Sequence, residues 1–227
     1  MFEDRLSHEG REKQAVVHRG SEVPGEDLSR ILALTDGVFA FALTLLVLGL
    51  TVPVIVTTGL SSGQISGELG ARLHQDYQSF LGYVFAFVMI AVWWTYHHQT
   101  FRYIERYDTV LMWTNMAILL EIAVMPFVLQ VYTAYMDAQA AVVLFAVMQL
   151  TTGLTLNILW RYASSGHRLV NPQLDPAEIR YFADRGLITP VVFAVSIGVS
   201  FLSVEAAEIL WIGGLVARRW GGKYGVA

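Results

Sequence analysis

Between Arg30 and Leu50 the chain carries one further charge, Asp36, and is otherwise almost wholly apolar. A charge at the centre of a membrane span costs at least ~2.5–3.5 kcal/mol, so such residues are kept with a partner or for a purpose. Arg30 and Asp36 are near enough along one helix to join a shared polar network, and they are expected to pair. Other residues able to do chemistry inside apolar sequence are the adjacent His97 and His98, Asn115 and Glu121. Neighbouring histidines on a helix point about 100° apart. Either one could bind a metal only with ligands from elsewhere, and the candidate acids, Asp36 and Glu121, are too few for a convincing metal centre. A histidine tied into the Arg30–Asp36 network is the better reading. With no Cys in the chain, thiolate chemistry and disulfides are excluded. The pattern points to no enzyme, no metal and no cofactor.

The elements that must carry these residues are membrane helices. Hydrophobic residues make up 55% of 227 positions and charged residues 15%, against about 25% charged in a soluble domain. Mean hydropathy is +0.49. A span needs roughly 20 mostly apolar residues, so the length holds several spans with short loops. Residues 1–27 are polar, carry both signs of charge and read as a tail, because they lack the apolar core of a signal peptide. Residues 28–219 form the membrane domain and 220–227 a short second tail. The expected fold is an all-α integral membrane protein of six transmembrane helices: Ser29 to Val56, Asp76 to Phe101, Tyr107 to Tyr135 with Pro126 inside, Ala138 to Tyr162, Asp184 to Ser203, and Glu205 to Val216. Residues 57–75, rich in Gly, Ser and Thr, read as a flexible loop. Residues 163–183 read as a polar loop with a short surface helix. The last two spans are short enough to be a re-entrant hairpin instead.

Lys and Arg placement sets the orientation. Arg5, Arg11, Lys13, Arg19, Arg30, Arg102, Arg106, Arg161, Arg168, Arg180, Arg185, Arg218, Arg219 and Lys223 fall on one side of a six-span protein, and Arg72 alone falls on the other. Both termini are therefore expected in the cytoplasm of a multi-pass protein of the cell membrane. The outer connections carry Glu68, Asp76, Asp137, Glu205 and Glu208. These are either acids merely tolerated outside, or a mouth that concentrates cations. The basic residues sit at span ends and form no basic face, which excludes a nucleic-acid partner.

Span one repays closer reading. Phe41, Leu45 and Leu48 are spaced i, i+4, i+7 and share a face, with Leu34, Thr44 and Val52 on or near it. Asp36 lies roughly 140° away, so the charged network and the apolar stripe face different ways. The stripe is either ordinary packing or lipid contact, or, where copies of it face each other, a hydrophobic constriction. Trp93 and Tyr96 near the end of span two fit an aromatic belt at the membrane interface. Glu121, deeper in span three, could exchange protons or turn toward water.

The sequence around these residues resembles the transmembrane protein 175 family, the lysosomal-type potassium channels and their prokaryotic relatives. That family's first-helix signature, Arg-x-x-x-Phe-Ser-Asp followed by Gly-Val-Phe-Ala-Ile-Ala-x-Thr-Leu-Leu-Val-Leu, is matched by Arg30, Leu34, Thr35, Asp36, Ala40 and Thr44 to Leu48. Trp94-x-x-His97-His98-x-x-Phe101, Asp108, Asn115 and Pro126-Phe127 also match. The resemblance covers residues 28–130 well and the remainder by span count. It implies a homotetramer of six-helix subunits, with a central pore lined by four copies of span one and with no Thr-Val-Gly-Tyr-Gly filter. The family's pore layers carry over to Phe41, Thr44 or Leu45, and Leu48. Its polar network carries over to Arg30, Thr35, Asp36, Trp94, His97 or His98, and Asn115. Leu34 and Thr35 stand where the family has Phe and Ser. Phe41 stands where Ile or Leu is usual, which makes a bulkier plug.

The function this implies is a potassium-permeable leak channel, passing other monovalent cations more weakly and working in contact with membrane lipid. The alternative is a proton-coupled transporter using Asp36, Glu121 and a histidine as a relay. Orientation is directly testable, since there is no native Cys to remove. A single Cys at position Ser62 should react with an impermeant maleimide from outside, and one at Ser165 only after permeabilisation. The opposite pattern would reverse the topology.

Overall fold

The structure, a computed structural model, describes residues 24–220, with side chains described from residue 28 to residue 214. The sequence-assigned tail of residues 1–27 lies almost wholly outside them, as does most of the segment 220–227. Among the described residues the fold is helical: α1 (Pro24–Leu45), α2 (Ser62–Gln75), α3 (Tyr77–Phe101), α4 (Thr109–Ala134), α5 (Gln139–Ser164), α6 (Pro176–Gly186), α7 (Ile188–Ser200) and α8 (Val204–Trp220). Among the described residues five stretches are long and apolar enough to cross a membrane: Leu28–Gly49, Tyr77–Phe101, Thr109–Ala134, Gln139–His167 and Pro176–Ser200.

The first span ends earlier than its hydrophobicity suggests. After Leu45 the backbone tightens into a 3-10 turn at Leu46–Gly49 and then runs extended. The apolar run continues to Val56, but Pro53 lacks an N–H and disfavours helical backbone at Val52, and the β-branched Val and Ile residues around it favour extended chain. Residues 62–75, expected as a flexible loop, instead form α2. Its start is fixed by a reciprocal cap, in which Gln64 N–H donates to the Ser61 hydroxyl and Ser61 N–H donates to Gln64 Oε1 at 2.9 Å. Glu68 and Arg72, one turn apart, add a 2.9 Å ion pair.

The fifth expected span is also redrawn. Rather than one helix from Asp184 to Ser203, the polar α6 leads through Leu187 into the apolar α7 of 13 residues, which packs against α8.

The bundle core lies between α3, α4, α5 and the α7–α8 hairpin. Ile90, Leu111, Ile118, Ile122, Met125, Leu129, Val142, Phe145 and Leu159 are fully buried in it. Tyr132, Phe145, Phe193 and Trp211 form an aromatic cluster, with ring centroids 4.6 Å apart for Tyr132–Phe145 and 4.8 Å for Phe145–Trp211. Lipid tails are as apolar as these side chains, so helix association depends on close fit and internal hydrogen bonds. Gly153 supplies such a fit, since a Cβ there would sit 2.9 Å from Cγ of Pro190 on α7.

The end of the bundle that carries Arg106, Arg161 and Arg168 is closed by a compact polar knot. Glu105 N–H donates to the Leu169 carbonyl at 2.9 Å beside an isolated bridge between Ile104 and Val170. Asp108 caps α4 by accepting from Leu111 N–H at 2.9 Å, takes the Tyr162 hydroxyl at 2.5 Å and faces Arg168 at 4.0 Å. Partial burial alone would raise the Asp108 carboxyl, but the Tyr162 hydroxyl, the Leu111 N–H and the Arg168 guanidinium outweigh it and hold the group below the usual carboxylate range. Its stabilisation is therefore present at neutral pH and is lost as pH falls through that lowered value. Asp108→Asn keeps an acceptor but loses the charge. At neutral pH it should lower stability by about 0.3–1 kcal/mol. The gap from the native protein should close on acidification, as followed by thermal unfolding across pH.

Candidate functional site

Helix α1 presents two faces. Ile31, Thr35, Phe39, Ala42 and the following Leu46 are buried against the bundle. Leu34, Phe41 and Leu48 lie on the opposite face, 48%, 64% and 74% exposed. They are spaced i, i+7, i+14, which is close to two turns per step, so they form one line along the helix. Thr44 is exposed between Phe41 and Leu48, and its hydroxyl donates to the Phe41 carbonyl at 2.8 Å. Leu45 is half-buried on the flank, so the exposed line runs through Thr44 rather than through Leu45.

Two polar contacts fix this rotation. On the α4 side, Asn115 Nδ2 donates to Thr35 Oγ1 at 3.0 Å, and Thr35 donates to the Ile31 carbonyl at 2.9 Å. His97 Nε2 lies 2.7 Å from Asn115 Oδ1. Thr35's own proton is spent on Ile31, so its oxygen must accept, which turns the Asn115 amide nitrogen toward Thr35 and the amide oxygen toward His97. Asn115 therefore offers only its oxygen to the ring, and Nε2 of His97 carries the hydrogen. His97 is stacked on Phe101 with centroids 4.3 Å apart, and Thr35, His97 and Asn115 are all buried. On the α3 side, Trp94 Nε1 donates to Asp36 Oδ1 at 2.9 Å, and exposed His98 stacks on Trp94 at 5.2 Å. The adjacent histidines thus serve different clusters. One is buried against Asn115 and Phe101, and the other lies at the surface beside Trp94.

The direct Arg30–Asp36 pair expected from sequence is replaced by Asp36–Trp94. Six residues turn a helix by about 240° net, which leaves the two side chains on different faces. Ion pairs formed between described residues include Glu68–Arg72, Asp184–Arg161 and Asp108–Arg168. Trp93 is also relocated. It is 3% exposed and donates to Gln149 Oε1 at 3.0 Å, so it belongs to the interior rather than to an interfacial belt. Gln149 went unremarked in the sequence, where its one signal is an amide inside the apolar run of α5. Glu121 sits apart from the network, on the flank of α4 toward α5, where Thr155 Oγ1 donates to its Oε1 at 3.1 Å. Among the described residues no group of three His, Asp or Glu side chains converges to hold a metal.

The buried bond chain has a measurable worth. Asn115→Leu preserves bulk but leaves the His97 N–H without an acceptor in an apolar site, which costs about 1–3 kcal/mol. The variant should melt at a lower temperature in detergent or give less intact protein. Equal stability to the native protein would show that this chain of bonds does not anchor α1.

Comparison with known proteins fits this arrangement. Residues 30–126 match the family described as the endosomal/lysosomal potassium channel TMEM175. A potassium channel of Streptomyces collinus is 28% identical over 196 residues, covering 85% of this chain and 90% of its own. One of Chamaesiphon minutus is 30% identical over 184 residues, covering 78% of this chain and 86% of its own. The crystal structure of a lysosomal potassium-selective channel TMEM175 homolog from Chamaesiphon minutus superposes with a TM-score of 0.68 at 25% identity, over 87% of this chain and 100% of that one. In sequence and in fold, then, with the matched segment running from within α1 through α2 and α3 to most of α4, the chain belongs to the TMEM175 channel family.

Proposed function

We propose that this protein is a potassium-permeable leak channel, in which α1 lines the permeation path and Phe41 is its narrowest layer. The observation that carries the reading is the line of Leu34, Phe41 and Leu48 exposed on a helix whose other face is buried and hydrogen-bonded. One such line encloses nothing, whereas four copies around an axis form stacked apolar rings about 10 Å apart. Bacterial relatives named potassium channels support the choice of ion. In this reading the α7–α8 hairpin supplies the last two of six crossings, both termini are cytoplasmic, and the protein sits in the cell membrane.

Cations approach past Asp76, Asp137 and Glu205, which are exposed at the connections assigned to the outer side. Glu68 and Glu208 contribute less to that field, because Glu68 is paired with Arg72 and Glu208 accepts the Tyr132 hydroxyl at 2.7 Å. Within the rings an ion sheds water without carbonyls to replace it, so the barrier is high and throughput low. Asp36, His97 and Glu121 hydrogen-bond to different partners. That supports a channel over a transporter with a relay through those groups.

The test is flux in potassium-loaded liposomes. Phe41→Ala removes most of the ring, wets the constriction and should raise cation flux several-fold while lowering discrimination between potassium and sodium. Val191→Ala, on the exposed face of α7, should leave flux unchanged. No gain with Phe41→Ala in an intact oligomer would remove Phe41 from the path.

A further inference from the structure

Glu121 lies at the midpoint of α4, the deepest position of a 26-residue helix that crosses the membrane. Its Oε1 lies 3.1 Å from the Thr155 hydroxyl, whose single proton also faces the Thr151 carbonyl at 3.0 Å, and its Oε2 is buried without a hydrogen-bond partner. The side chains acting on it are the hydroxyls of Thr155, Thr152 and Thr151 from α5. The hydroxyls of Thr151 and Thr152 are spent on the Met148 carbonyl, at 3.0 and 2.9 Å. The helices packed against α4 are α1, α3 and α5, with α8 touching its Tyr132 end through Glu208 and Trp211. Among the described residues their ionisable groups are Arg30 and Asp36 on α1, Tyr77, Tyr83, Tyr96, His97 and His98 on α3, Arg161 and Tyr162 on α5, and Glu205 and Glu208 on α8, and none of these is a hydrogen-bond partner of the Glu121 carboxyl.

An ionised carboxylate is an acceptor on both oxygens. Here it would leave one oxygen desolvated and unpaired at the most apolar depth of the bundle, with no cation in contact. Taking up a proton removes the charge and leaves Oε1 free to accept from Thr155. We propose that Glu121 is an intramembrane proton-binding site: a neutral carboxylic acid on the α4–α5 seam, chemically distinct from the network around Asp36 and open to lipophilic carbodiimides. Exposed Leu120, Val124, Leu154 and Ile158 border this seam, which gives a membrane-dissolved reagent its approach. Reaction with dicyclohexylcarbodiimide balances without a leaving group. The carboxyl oxygen adds to the central carbon, the acid proton goes to one nitrogen, and the acyl group then leaves the oxygen for the other nitrogen, giving a stable N-acylurea. The protein gains the full mass of one reagent molecule.

The experiment uses the intact assembled protein and its Glu121→Gln variant in liposomes. Glutamine is close in shape to the neutral acid, so the variant should assemble as the native protein does. The infrared spectrum at neutral pH should contain a protonated carboxyl C=O band that is absent from Glu121→Gln. Carbodiimide should modify Glu121 an order of magnitude more than exposed Asp76, less as pH is raised, and equally in potassium, sodium or neither. Identical infrared spectra for the two proteins in the carboxylic acid region would overturn the proposal. So would protection of Glu121 by a monovalent cation, because that would make it an ionised cation ligand instead.

Discussion

The rotation of α1 about its own axis is the constraint on which the functional reading of this molecule depends. A helix that is apolar all round has no hydrophobic reason, in lipid, to prefer one rotation over another. Here the choice is made by two consecutive residues. Thr35 is held by Asn115 of α4, and Asp36 by Trp94 of α3. Because the two side chains leave the helix about 100° apart, they clamp it against two neighbours at once. Once that angle is set, Phe39 and Ala42 must point inward, and Phe41 and Leu48 outward. The polar groups conduct nothing themselves, and their contribution is to decide which apolar residues face out.

Much of this was legible in the sequence, and the misses have physical causes. The ends of α3, α4 and α5 fall within two residues of the hydrophobicity boundaries, because long apolar runs bounded by Asp76, Asp108 and Ala138 admit little else. The end of α1 was misjudged because hydropathy does not distinguish a helical Val from an extended one, whereas Pro53 does. Helix α2 was hidden by its Gly and Ser content, although the Ser61–Gln64 cap was there to be read. Asp36, a histidine and Asn115 could be named from types and position, and Thr35 and Trp94 from the family resemblance. Their division into two clusters could not, because that depends on which face of α3 meets α1 and which meets α4. Arg30 was paired with Asp36 on proximity along the chain, where helical phase was the better guide. Trp93 was assigned to the interface because Trp often sits there, but its buried partner is 56 residues away in sequence.

The interior also shows how a bilayer protein tolerates polar side chains. Most hydroxyls here close onto the carbonyl of the preceding turn, as with Thr95, Thr100, Thr114 and Ser164. They arrive already satisfied and add little cost. Amides, acids and indoles cannot do this and must find partners on other helices, so they mark the places where helix-to-helix geometry is specified. The Trp93–Gln149 bond ties α3 to α5, and the Tyr132–Glu208 bond ties α4 to α8. Gln149 keeps an unpaired buried Nε2, because Trp93, a donor only, can satisfy its oxygen but not its nitrogen.

The short 3-10 turn at Leu46–Gly49 makes the two ends of the exposed line mechanically unequal. Phe41 rides on regular helix a turn and a half beyond the Thr35–Asp36 clamp. Leu48 rides on a turn with poorer hydrogen-bond geometry, followed by extended chain and braced by Gln130, whose Cδ would lie 2.9 Å from a Cβ at Gly49. A 3-10 turn converts to and from α-helix by a change in rise of about 0.5 Å per residue. The Leu48 end is therefore the compliant one. Stretching or thinning the surrounding bilayer would strain this turn first and leave the regular helix around Phe41 in place.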